Sequence, residues 1–131
     1  MRVALRLLQL GAIAVVVAVS TFHTFELDRF FVPKELVLHA TALLAALFAF
    51  NALRRMTFTR VDLLLAVYLA LSAISAALAT NRWLGLRALA ISASAVLLFW
   101  TARALRGAGI ADALLNALAL AVVLVAVTSL L

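Results

Sequence analysis

Nineteen consecutive residues separate Arg6 from Glu26, and none of them carries a fixed charge. Four more such runs follow: Leu36 to Leu53, Leu63 to Asn81, Ala88 to Ala102 and Ala113 to Leu131. A helix needs about 20 mostly apolar residues to cross roughly 30 Å of hydrocarbon at 1.5 Å per residue. The runs therefore predict an all-α, polytopic membrane protein with five spans, at about 3–25, 36–53, 63–79, 83–105 and 113–131. The fourth is the shortest: its uncharged part covers only about 22 Å, so it must extend to about Trp83 and Leu105. Arg87 and Arg103 then lie near its two ends, with their head groups reaching toward the interface.

Composition agrees with a membrane chain. Hydrophobic residues make up 69% of the 131 residues and charged ones 12%, against about 45–50% and about 25% in soluble domains. A soluble fold of this length could not hide so much apolar surface. The net charge of +6 would suggest nucleic acid in a soluble chain. Here the basic residues punctuate apolar runs, so membrane lipids are the expected partner and nucleic acid is not. With no cysteine, disulfides, thiolate metal sites and cysteine nucleophiles are excluded.

The connections are short. Glu26 to Glu35 reads as the first loop, with Pro33 just before the second helix. Arg54 to Arg60 reads as the second, with Asp62 available to cap the third helix. Thr80 to Arg82 forms the third, and Arg106 to Asp112 the fourth, with Gly107 and Gly109 ending one helix and Asp112 starting the next. Alternate loops then place Arg2, Arg6, Arg54, Arg55, Arg60, Arg103 and Arg106 on one side and Arg29, Lys34, Arg82 and Arg87 on the other. Seven against four predicts a cytoplasmic N-terminus and a C-terminus on the far side. Arg2 and Arg6 before an apolar core, with Ala18-Val19-Ser20 beyond, also resemble a secretory signal. The apolar run is long for a signal core, so the first helix is expected to stay.

Small residues recur four apart at Ala42-Ala46, Ala66-Ala70, Ser72-Ala76 and Ala117-Ala121. Such faces let membrane helices approach closely, although any Ala-rich helix carries them. No catalytic constellation, phosphate loop or metal-ligand cluster is legible, so no cofactor or metal is expected. Four residues stand out as candidate binding groups: Lys34, His39, Arg82 and Arg87. His39 follows Glu35 by four residues, about one turn inside the outer end of the second helix, so the two can share a face. An ionisable group in a span is a functional candidate; the simpler reading has its tip in interface water. Lys34, Arg82 and Arg87, with Trp83 as an interface anchor, would converge on an anionic group if the second and fourth spans are neighbours. Ordinary snorkelling is the competing account of Arg87. Arg54, Arg55 and Arg60 read as the topology signal, and Asn51 and Asn116 as caps or interhelical hydrogen-bonders.

Pro33-Lys34-Glu35-Leu36, Asp62-Leu63-Leu64-Leu65, Ser72-Ala73-Ile74-Ser75-Ala76, Ala79-Thr80-Asn81-Arg82-Trp83 and Arg87, in this order, resemble the N-terminal part of the O-antigen ligase family. The resemblance spans about residues 30–131. It implies a polytopic inner-membrane glycosyltransferase that moves a glycan from an undecaprenyl diphosphate carrier to a lipid or saccharide acceptor. In that family the catalytic His and key Arg residues belong to later periplasmic segments, so neither His23 nor His39 inherits that role. The resemblance leaves this chain as a helix scaffold, inactive alone, that partners the remaining helices of a longer enzyme. Lys34, Arg82, Arg87 and His39 would then be neighbours of the carrier diphosphate. Residues Val127 to Leu131 end the last run without a charged or aromatic anchor, which fits the front portion of a longer protein. The alternative is a small non-catalytic integral membrane protein acting as an assembly or accessory subunit. Half of a transporter is weaker, because no span has a charge near its middle or a proline break.

Overall fold

The structure, a computed structural model, describes residues 2–21, 32–106 and 110–128. These residues are helical with short connections and contain no strand. The elements are α1 (Arg2–Thr21), α2 (Val32–Phe48), α3 (Phe50–Arg54), α4 (Arg60–Leu78), α5 (Arg82–Ala104) and α6 (Ile110–Thr128). Among the described residues, two helices are long and apolar enough to cross a membrane, Arg60–Leu78 and Arg82–Ala104, while Ile110–Val123 is a shorter apolar stretch.

Several expected boundaries move. The second helix begins at Val32 rather than Leu36, which places Lys34 and Glu35 in its first turn instead of in a loop. Pro33 falls within that first turn, where its missing N–H has no intrahelical acceptor to lose. The same apolar run bends at Ala49, with α3 continuing beyond it. Ala49 N–H still donates to Ala45 at 2.9 Å and Ala49 O accepts from Leu53 at 2.9 Å, so the ladder is nearly continuous. Neither Pro nor Gly marks the bend. The first helix is described to Thr21; residues 22–31, which hold the end of the expected first span and most of the expected first loop, lie outside the described residues, as do Gly107 and Gly109. The last helix starts at Ile110, so Asp112 sits inside its first turn.

The helices pack in a row, α6 beside α1, α1 beside α2, α2 beside α5 and α5 beside α4. Contacts fix their directions. Ala4 and Leu8 share a cluster with Ala45 and Ala49, and Gly11 abuts Thr41, so α1 and α2 are antiparallel. Glu35 meets Arg87 and His39 meets Ser94, so α2 and α5 are parallel. Gln9 Nε2 donates to Ala113 O at 3.0 Å while Ala4 shares the cluster with Ile110, which makes α1 and α6 parallel. Successive long helices thus alternate in direction.

One end of the row gathers Arg2, Arg6, Arg54, Arg55, Arg60, Arg103 and Arg106; the other holds Lys34, Arg82 and Arg87. Among the described residues, eight of the twelve buried hydrophobic ones are alanines: Ala4, Ala42, Ala45, Ala49, Ala76, Ala113, Ala117 and Ala121. Many large apolar side chains are exposed instead, Leu78 at 81% and Leu36 at 69% among them. Only 11% of the residues in the apolar stretches of α4 and α5 are buried. A core helix of a soluble protein would be mostly buried; a small-residue interior under a Leu-rich surface is the packing expected where lipid is the solvent.

Candidate functional site

At the less basic end, α2 and α5 face each other across a groove of about 710 Å³ lined by Glu35, Leu36, His39, Asn81, Trp83, Leu84, Leu86, Arg87 and Ala90. The N-terminus of α5 is set by Asn81, whose Oδ1 accepts from Leu84 N–H at 3.2 Å. This cap places Arg87 in the second turn, facing the first turn of α2. Arg87 Nε donates to Glu35 Oε1 and Oε2 at 2.8 and 2.7 Å, and Nη2 lies 2.6 Å from Oε1. Both side chains are largely but not wholly covered, at 23% and 20% exposure. One turn further along α2, His39 Nδ1 shares a 2.7 Å hydrogen bond with the buried Ser94 Oγ on α5. Glu35 and His39 share one face, as their spacing predicts, but each bonds across to α5. His39 also turns inward to Ser94 rather than spending Nδ1 on interface water.

Of the four candidate residues, Arg87 and His39 line the groove. Arg82 is exposed at the first position of α5, and Lys34 is half-buried beside Glu35 in α2. Neither lines the groove. Trp83 does line it, with 73% exposure. The arrangement can hold an anion only at one rim, where Arg87 is neutralised by Glu35. An incoming phosphate oxygen would have to share or displace that carboxylate.

The opposite end holds a denser cluster. Asp62 is fully buried at the third position of α4. Its Oδ2 accepts from Thr59 N–H at 2.6 Å and Thr59 Oγ1 at 2.7 Å, forming one arm of a capping box. Its Oδ1 accepts from Trp100 Nε1 at 3.0 Å and from Arg103 Nη1. Arg103 Nη1 also donates to Thr59 Oγ1 at 3.1 Å and Nη2 to Thr57 O at 2.6 Å. Arg103 therefore binds the 57–59 loop to α5 instead of snorkelling freely. The helix starts at Arg60 rather than Leu63, so Thr59 is the N-cap and Asp62 serves the helix start from inside the first turn; its ties to Trp100 and Arg103 were not foreseen.

A signal for those ties exists in the sequence. In an antiparallel hairpin, partners lie at nearly equal distances from the turn. Ala76 against Gly85, Tyr68 Oη against Ser92 Oγ at 3.1 Å, and Asp62 against Trp100 are each nearly symmetric about Thr80 and Asn81. Every buried side-chain nitrogen and oxygen among the described residues has a partner. Asn51 lies inside α3 and Asn116 inside α6, so neither caps a helix. No family model, curated protein or solved structure matches the chain.

Proposed function

We propose that this chain is the membrane scaffold of an O-antigen ligase-like glycosyltransferase, with five spans in the bacterial inner membrane, a cytoplasmic N-terminus and the α2–α5 groove on the outer side. The groove seats the diphosphate of an undecaprenyl-linked glycan at its rim. The observation that carries this reading is the meeting of α2 and α5, which brings Arg87, Glu35 and His39 to one groove below an exposed Trp83. The order of motifs from Pro33 to Arg87 supports it independently. Glu35 holds the guanidinium in place until a phosphate replaces the carboxylate; Lys34 and Arg82, on the adjoining first turns, raise the local positive potential. The transfer chemistry would belong to later segments of a longer enzyme.

A second reading is favoured by the open row: α4 and α6 form its edges, each packed mainly on one neighbour. Such edges suit an accessory subunit that assembles with a partner. Binding of undecaprenyl diphosphate to the purified protein in detergent separates the two. Binding that Arg87→Gln weakens by about tenfold, the loss of one charge-assisted hydrogen bond, is expected on the glycosyltransferase reading. No binding by the unmodified protein, or equal binding by the variant, overturns it.

A further inference from the structure

The strongly basic end carries a second groove, of about 820 Å³, between α3, the loop that follows it and the last turn of α5. Its polar lining is Asn51, Arg55, Thr57, Arg103 and Arg106, and Phe48 and Met56 contribute apolar surface. Among the described residues, no acidic side chain lines it. Arg103 is engaged by Asp62 and the Thr57 carbonyl, whereas Arg55 and Arg106 are exposed and have no acidic partner among the described residues. Helices α3 and α5 both end here, and the negative ends of their dipoles offset part of one positive charge. Arg55 and Arg106 together still leave the groove electropositive.

The surroundings distinguish this groove from a general anion trap. Leu44, Leu47 and Phe48 are exposed on the flanking α2, at 44%, 67% and 53%. The guanidinium groups therefore stand where an apolar collar gives way to helix ends, the depth of a lipid headgroup. A free anion uses only the charge; a phospholipid uses the charge and the apolar collar together. We infer that this groove binds the phosphodiester headgroup of an anionic phospholipid, with Arg55 and Arg106 as its principal contacts and Asn51 as a neutral donor. The inference rests on membrane insertion alone and is independent of the glycosyltransferase reading.

The test follows the thermal unfolding midpoint of the purified protein in detergent micelles titrated with phosphatidylglycerol, phosphatidylcholine or inorganic phosphate. Phosphatidylglycerol should raise the midpoint at lower concentration than phosphatidylcholine does. At about fivefold per arginine, the double variant Arg55→Gln/Arg106→Gln should need roughly 25-fold more phosphatidylglycerol for half of the effect. Arg54→Gln/Arg60→Gln removes the same charge at the same end but outside the groove, and should leave the titration unchanged. On the unmodified protein, the preference for phosphatidylglycerol should shrink as salt rises. Equal loss in both double variants, a salt-insensitive preference, or the same stabilisation by inorganic phosphate alone would overturn the inference.

Discussion

Two arginine–carboxylate pairs tie α5 to its neighbours, and their surroundings give them different weights. Glu35 retains 20% exposure beside Arg87, so a carboxylate deprived of Arg87 can turn toward the interface. Asp62 has no exposure and takes all of its compensation from Thr59, Trp100 and Arg103. Removing one partner of a buried pair leaves an uncompensated charge, the costly half of such an arrangement. Arg103→Gln should therefore lower the melting temperature in detergent by several degrees more than Arg87→Gln, although both remove one positive charge from α5. Equal shifts would mean that Asp62 is not sealed from water. Both acids were legible in the sequence as residues near helix ends, and Asp62 as a cap. Their partners were not, because Arg87 and Arg103 each have an adequate solitary role in lipid headgroups, and nothing in a uniform Ala/Leu background states which helix lies beside which.

At the scale of elements, close approach is set by two glycines and a set of alanines. The spacing rule picked out Ala117-Ala121, and both residues are buried, with Ala113 extending the stripe. Ser72-Ala76 ends at the α4–α5 contact, where Ala76 is buried, while Ala70 of the Ala66-Ala70 pair is exposed. Spacing alone could not tell these cases apart, since it is shared by all Ala-rich faces. The glycines are more discriminating. A methyl at Gly11 would overlap the Thr41 side chain, whereas one at Gly85 would meet Ala76 Cα, Ala76 O and Ala79 Cβ at 3.1 Å. Alanine is favoured over glycine in a helix by about 1 kcal/mol, and overpacking costs about 1–3 kcal/mol. At Gly85 a small shift brings the two terms near balance, so Gly85→Ala should leave stability nearly unchanged. Gly11→Ala should destabilise by about 1–3 kcal/mol, and Thr41→Ala should recover part of that loss in a double-mutant cycle. Additive effects at Gly11 and Thr41 would show that α1 and α2 do not meet at this point.

For the molecule as a whole, the number of crossings is a question of whether helix direction, charge and solvent agree. Helices α1, α4 and α6 run one way and α2 and α5 the other, and seven arginines gather at one end of that alternation. Under the proposed five-span topology, the basic end stays in the cytoplasm and the long helices each cross. The chain has no cysteine, so single cysteines introduced at exposed loop positions report sidedness without background. Phe58→Cys, in the loop before α4, and Thr80→Cys, in the turn between α4 and α5, sit at opposite ends of one apolar helix. Thr80→Cys should react with a membrane-impermeant maleimide in intact spheroplasts and Phe58→Cys only after the membrane is opened. The reverse pattern would invert the protein and move the Arg87 groove to the cytoplasmic face, where an outward-displayed glycan carrier could not reach it. Labelling of both positions in intact spheroplasts would remove α4 from the list of spans, and with it the alternation on which a five-span topology depends.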